Sequence, residues 1–218
     1  MFFYERICLG TGPLVDTEYQ VEYIMKALEI GKKTNNFLKM AHLYSTLAYL
    51  YLKNKDYQKS LEANLLSKKI CEEIDNRLEL GMIYKNLGDL YLTLDKFDNA
   101  IESYQKSILY KKEFSSTRTV VDFANVIFPL TSLTFLHIKK DAFDEADNNL
   151  FKIYELLTNY TFGKEVPTFA EFLRNFLEYK KNKKDFVYLQ RMKDCYYDMV
   201  KNSPNTLQLL WIKKELGL

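Results

Sequence analysis

The sequence predicts an all-α protein, an α-solenoid of about five stacked helical hairpins followed by a C-terminal capping helix. Three observations lead to this fold class. Segments of the chain resemble each other at an offset of 40 residues, apolar residues recur at helical spacing within them, and only 7 glycines and 4 prolines occur among 218 residues. So few turn-forming residues do not suit the many turns of a β-sandwich, a barrel or a doubly wound sheet. With 47% hydrophobic residues, the chain is apolar enough to bury a core.

The two best-matched repeats occupy the middle of the first half. Placing 44–70 over 84–110 at a constant offset of 40 pairs Tyr44 with Tyr84, Leu47 with Leu87, Ala48 with Gly88, Tyr51 with Tyr91 and Ser67 with Ser107. In each repeat the first helix carries apolar residues on one face, and a small residue lies in the middle of that face. We therefore expect the paired helix to cross closely at Ala48 and Gly88.

The same register extends in both directions. Towards the N-terminus it predicts an imperfect first repeat whose first helix is broken at Gly10, Gly12 and Pro13. Towards the C-terminus an offset of 46 pairs Leu87 with Leu133, and the extra residues fall near 115–118 as a longer connection. Pro129 predicts that the next helix begins or kinks there. A fifth repeat of two apolar helices, joined by a charged turn, follows. The predicted single domain, 1–218, has repeats at about 1–40, 41–80, 81–118, 119–163 and 166–202 and a capping helix at 204–216.

Local signals define the hairpin ends. Asn54, Asp56 and Asp95 fall in short polar segments and are predicted to turn the chain or cap a helix. At the C-terminus, Ser203 and Pro204 precede apolar residues at helical spacing, which predicts a helix whose single tryptophan, Trp211, seals the last hairpin.

The spacing of small and aromatic residues resembles the tetratricopeptide (TPR) motif. The residues that carry the resemblance are Tyr84, Leu87, Gly88, Tyr91, Phe97, Ala100, Tyr104 and Ser107. Lys112 stands where the motif often has proline, and the period of 40 exceeds the usual length of about 34. The longer period resembles kinesin light chains, polarity adaptors that bind G-protein regulators, and bacterial peptide-sensing regulators. This resemblance implies a right-handed superhelical array that serves as a scaffold or adaptor for protein partners.

Composition and motifs favour no catalytic or cofactor site. Only two histidines, His42 and His137, are present, and they lie in different repeats; three widely spaced cysteines form no ligand cluster. The segment 10–13 lacks the lysine of a phosphate-binding loop. Acidic and basic residues are interspersed at a net charge of +2, which does not favour nucleic-acid binding by this chain, and no apolar run approaches the roughly 20 residues of a membrane span. We expect a soluble cytoplasmic protein without enzymatic activity, metal or cofactor.

In stacked hairpins the first helix of each pair lines the concave side, where a partner segment binds. The predicted groove residues are His42, Ser45, Tyr49, Lys85, Asp89, Leu92, Thr131, Phe135 and Ile138. Asn86 and Lys85 resemble part of the TPR clamp for a terminal carboxylate, but Thr46 occupies the corresponding place in the preceding repeat. An internal or apolar peptide segment is therefore the expected partner. A peptide-sensing domain of a bacterial regulator and a homodimer stay open as alternatives, and an enzyme or nucleic-acid-binding module is disfavoured.

Overall fold

The computed structural model describes residues 17–115, 126–182, 185–204 and 206–218. Those residues form ten α-helices and no strand, which confirms the predicted all-α class. The helices are α1 (Thr17–Lys33), α2 (Phe37–Lys53), α3 (Tyr57–Glu73), α4 (Arg77–Thr93), α5 (Phe97–Ser115), α6 (Ile127–Lys139), α7 (Phe143–Asn159), α8 (Glu165–Lys181), α9 (Phe186–Asn202) and α10 (Leu207–Leu216).

Consecutive helices pack as antiparallel pairs, α2 with α3, α4 with α5, α6 with α7 and α8 with α9. The first helices of neighbouring pairs also contact one another directly, so α2, α4, α6 and α8 form a continuous layer, here called the first-helix face. Helix α1 precedes the first described pair. The predicted helix break at 10–13 and most of the connection predicted near 115–118 lie outside the described residues.

The 40-residue period has a simple structural origin. Helices α1 to α4 are each 17 residues long and are separated by three-residue turns. The α2–α3 pair therefore begins at Phe37 and the α4–α5 pair at Arg77, slightly before the repeat boundaries predicted at 41 and 81. Five turns contain one residue with left-handed backbone, at φ between 49° and 62°: Asn35, Lys55, Asp75, Asp95 and Asp141. Asparagine and aspartate tolerate this conformation better than most residues.

Side-chain caps begin several helices. The side chains of Asn36, Asp56 and Asn76 each accept a hydrogen bond from the backbone N–H three residues later, at 3.0, 3.4 and 3.1 Å. This satisfies one of the donors that a helix N-terminus leaves unpaired. The capping role of Asp56 and the turn at Asp95 agree with the sequence prediction, whereas the left-handed residue beside Asn54 is Lys55.

Close crossing within the pairs also follows the prediction. A Cβ atom added to Gly88 would lie 2.5 Å from Cε1 of Tyr104, so only glycine fits between α4 and α5. Two equivalent serines on the second helices bind the first helices: Ser67 Oγ donates to the Ala41 carbonyl and Ser107 Oγ to the Gly81 carbonyl, both at 2.6 Å. These bonds connect the helices of each pair without bulky side chains.

Three features of the second half of the chain differ from or refine the sequence prediction. Pro129 lies in the first turn of α6, which begins at Ile127, a position where proline is tolerated. Helix α10 begins at Leu207 after Thr206, later than the start predicted at Pro204. Trp211 was predicted to seal the last pair, and its ring stacks on Phe135 of α6, with 6.1 Å between ring centroids. Helix α10 thus packs on α9 and extends back across the array.

Candidate partner-binding face

The structure divides the nine predicted groove residues into two sets. His42, Tyr49 and Lys85 keep accessible surface on the first-helix face, and the side chain of His42 is 45% exposed. The other six are buried: Ser45, Asp89, Leu92, Thr131, Phe135 and Ile138. Contacts between successive first helices bury part of this set, and α10 lies over Leu92 and Phe135, so positions expected to line an open groove are packed instead.

A polar network connects α2, α4 and α5. Lys85 Nζ lies 2.6 Å from Asp89 Oδ2, and the Tyr104 hydroxyl donates to Asp89 Oδ1 at 2.7 Å. Lys85 Nζ also lies 5.9 Å from the centre of the Tyr49 ring, within the range of a cation–π contact. Burial alone would lower the pKa of Lys85, but Asp89 raises it above its usual value. Lys85 therefore stays charged over the Tyr49 ring.

The amide of Asn86 is engaged within the array. Its Nδ2 donates to the backbone carbonyl of Ser45 at 3.3 Å and to the Ser45 hydroxyl at 3.2 Å. The asparagine that resembled part of a carboxylate clamp thus joins α4 to α2. This arrangement agrees with the expectation that the clamp is incomplete.

His42 and Glu79 extend the same face. His42 Nδ1 lies 3.6 Å from Glu79 Oε2, and Glu79 is buried whereas His42 is half exposed. Together with Tyr49, Lys85 and Asn86 they form a strip of polar side chains on two neighbouring first helices, here called the polar wall. Glu79 is buried, and the other four side chains keep partial exposure.

One charged residue behind the polar wall, Lys111, was not among the predicted site residues. Lys111 of α5 is 7% exposed, and the missing side chain of Gly81 leaves room for it: a Cβ there would lie 3.0 Å from Lys111 Cγ. Burial lowers the pKa of Lys111 to about 8; Lys85 lowers it further and Glu79 opposes the change. The repeat contained a signal for this site, since Lys111 takes the place of the fully buried Cys71 one period earlier.

The other end of the first-helix face is apolar and partly covered. Leu92 and Phe135, here called the apolar wall, border a cleft whose opposite side is Trp211 of α10. Lys214 Nζ lies 2.9 and 2.6 Å from the two carboxylate oxygens of Asp95. Lys139 Nζ lies 2.8 Å from Glu215 Oε2. Ring contact and ion pairs thus hold α10 against α6 and the α4–α5 turn.

Other groups that could carry chemistry are constrained by their surroundings. Burial raises the pKa of Cys71 to about 12 and that of Cys195 to about 11, so both thiols stay protonated at neutral pH. Burial lowers the pKa of His137, whose Nδ1 lies 3.3 Å from Asn149 Nδ2. Within the described ranges, no three histidine, cysteine or acidic residues are placed to hold a metal, and none of the helices is long and apolar enough to cross a membrane.

Comparison with known proteins agrees with the geometry. A tetratricopeptide repeat family model matches residues 39–108. A 95-residue stretch is 30% identical to the transcriptional activator NprA of Geobacillus stearothermophilus and covers 44% of this chain but only 23% of that protein.

A solved structure with the same fold supports the architecture outside the matched repeats. The crystal structure of BtubC (BKLC) from P. vanneervenii superimposes with a TM-score of 0.57, covering 92% of this chain and 82% of that one. At 16% identity this likeness shows the fold alone. It supports a helical-repeat array that continues beyond residue 108.

Proposed function

We propose that this chain, whose residues 39–108 are tetratricopeptide repeats, binds a protein or peptide segment along its first-helix face. Tetratricopeptide repeats are protein–protein interaction modules, and stacked hairpins offer their extended surface on one side. The finer proposal is that a partner segment contacts the polar wall of α2 and α4 and continues toward the apolar wall.

One observation carries this proposal. The polar wall joins an aromatic ring, a held cation and a half-exposed imidazole on two adjacent repeats: Tyr49, Lys85 and His42. Asp89, which accepts a hydrogen bond from Tyr104, holds the Lys85 ammonium in place from behind, so little side-chain freedom is lost when a partner binds. The ring and the fixed cation suit a segment that offers backbone carbonyls, an acidic group or an apolar side chain.

Two tyrosines of α2 provide a matched test. Tyr49 lies on the first-helix face under Lys85, whereas Tyr51 lies under Lys59 of α3; both are partly buried, and both have a lysine within 5.9 Å of the ring centre. The test variant combines His42→Ala with Tyr49→Ala, and the control is Tyr51→Ala. Asp89 is left unchanged because its loss would disturb the core.

The measurement is affinity capture from lysate of the native organism, with the bound proteins quantified by mass spectrometry. We expect proteins that wild type and Tyr51→Ala both retain to be reduced at least tenfold on the His42/Tyr49 variant. Circular dichroism establishes that all three proteins are folded. Equal retention by the two variants would show that the polar wall does not bind the partner.

A regulatory form of the same function is favoured by the similarity to a transcriptional activator. The aligned stretch covers 23% of that protein's length, so this chain would correspond to a part of such a regulator. In this form the bound segment is a short signalling peptide. Peptide fractions from culture medium should then raise the thermal midpoint of the wild type and leave the His42/Tyr49 variant unchanged, whereas a scaffold would respond to none of them.

A further inference from the structure

Helix α10 makes specific contacts with the apolar end of the first-helix face. Its Trp211 ring stacks on Phe135 with 6.1 Å between the centroids, Lys214 pairs with both carboxylate oxygens of Asp95, and Glu215 pairs with Lys139. The contacted residues belong to α6 and the α4–α5 turn, and these lie in two earlier pairs of the array. Helix α10 therefore covers a surface that belongs to the proposed binding face.

The contacts define a short chemical pattern. Trp211, Lys214 and Glu215 are spaced i, i+3 and i+4, which places them on one face of a helix. They meet an aromatic ring, a carboxylate and an ammonium group, in that order. A helix that carries an aromatic residue followed one turn later by a basic and an acidic residue fits this surface.

The fit of α10 is incomplete. Thr206 caps the helix without a side-chain hydrogen bond. Thr206 Oγ1 and Trp211 Nε1 are buried and find no hydrogen-bond partner in the described part of the chain. Burying such groups unpaired opposes docking.

One of the two ion pairs that hold α10 is strongly exposed to solvent. The side chains of Lys214 and Asp95 are 61% and 53% exposed, which limits what their ion pair contributes. Leu210 is 48% exposed, and a cleft separates part of α10 from Leu92 and Phe135. Leu207, Leu209, Trp211 and Ile212 of α10 are buried, so opening this contact must expose these four side chains while the repeats stay folded.

We propose that α10 is an internal, displaceable occupant of the apolar wall, and that a partner helix replaces it with an aromatic residue on Phe135, a basic residue on Asp95 and an acidic residue on Lys139. This inference rests on the function proposed above and specifies its partner and its regulation. A tethered helix competes at high effective concentration, so it sets a threshold that a partner must exceed. Weakening α10 therefore strengthens binding of the same pattern supplied from outside.

The probe is a fluorescently labelled peptide with the sequence of residues 203–218, titrated into full-length protein. With Trp211→Ala the internal helix loses its aromatic anchor, and we expect the peptide to bind at least tenfold more tightly than it binds wild type. Lys213→Ala changes an exposed residue of the same helix and should behave as wild type. A folded Trp211→Ala protein that binds the peptide no better than wild type would overturn the proposal.

A second variant keeps the native fluorophore. Lys214→Glu places a like charge opposite Asp95, so the emission of Trp211, the only tryptophan, should shift partly to longer wavelength as the docked fraction of α10 falls. Adding Asp95→Lys should restore the blue emission by reversing the pair. Lysine suits this turn, because the equivalent Lys55 has the same left-handed backbone, with φ of 62° against 56°.

The reciprocal pair separates a specific contact from general destabilisation. Emission that stays unchanged in Lys214→Glu, or that Asp95→Lys fails to restore, contradicts a displaceable α10. These measurements involve neither His42 nor Tyr49, so a negative result here leaves the capture experiment on the polar wall to decide the proposed function independently.

Discussion

Two equivalent positions in neighbouring repeats, Asp89 of α4 and Phe135 of α6, have opposite chemistry. At an offset of 46 they occupy the same place on the first helix, and both are almost completely buried, at 1% exposure. Asp89 is held by Lys85 and Tyr104 in a polar network, whereas Phe135 packs among aromatic rings. The same scaffold position thus serves hydrogen bonding in one half of the face and apolar contact in the other.

The difference teaches how a repeat array acquires distinct surfaces. The backbone places equivalent residues at equivalent points, and the repeats are free to differ wherever neighbouring side chains compensate. The α2–α5 region compensates with ion pairs and hydrogen bonds between helices. The α6–α10 region is filled by a cluster of aromatic rings, in which the centroid of the Phe135 ring lies 6.5 Å from that of Phe169 and 5.7 Å from that of Phe176.

The largest expected effect is at the aromatic position. Phe135→Ala removes a buried ring from contact with Phe169, Phe176 and Trp211, and should lower the free energy of unfolding by about 3–5 kcal/mol in urea denaturation. Phe151→Ala, at a phenylalanine of α7 that is 72% exposed, should change it by less than about 0.5 kcal/mol. Similar losses in both variants would contradict the cluster as the centre of this region.

A smaller effect is expected at the equivalent polar position. Asp89→Asn keeps the shape and an acceptor for Tyr104 but removes the charge opposite Lys85, and should cost about 2–3 kcal/mol. Adding Lys85→Met removes the unpaired cation, so the double variant should recover part of the loss in a double-mutant cycle. Glu102→Gln, in the exposed pair with Lys106, is the control and should change stability by less than about 1 kcal/mol. Additive losses at Lys85 and Asp89 would mean that the network is not coupled.

The regular half of the fold could be predicted from sequence because its signals are local or periodic. The close approach at Gly88 and the cap at Asp56 depend on one residue each, and the left-handed turn residue at Asp95 recurs 40 positions earlier at Lys55. The stacking of Trp211 on Phe135 joins residues of different repeats without any period, so sequence spacing could not reveal it.

The candidate site was predictable only in outline for a related reason. Helical spacing correctly placed the first helices on one face, but it could not tell an open groove from direct helix contact, which depends on the distance between neighbouring repeats. Asn86 illustrates this limit: its amide lies within reach of Ser45 only because α2 and α4 touch.

The smallest expected effect concerns Lys111, a buried lysine of the α2–α5 region, and is a change of stability with pH. Its pKa is about 8 in the folded protein, against 10.5 for an ordinary lysine such as that of the unfolded chain. Between these pH values the unfolded chain binds more protons than the folded protein, so the free energy of unfolding rises with pH. Relative to Lys111→Met, which lacks the group, the free energy of unfolding of the wild type should rise by about 2 kcal/mol between pH 7 and 9.5.

Urea denaturation of both proteins at the two pH values measures this difference directly. Ionisation of other residues affects wild type and variant alike, so the comparison isolates the buried ammonium behind the polar wall. Lys112→Met removes an exposed lysine from the same helix and should show no comparable change. If the wild type gained nothing over Lys111→Met at the higher pH, Lys111 would have to be as well solvated as a surface lysine, and the polar wall would be hydrated from behind rather than closed by α5.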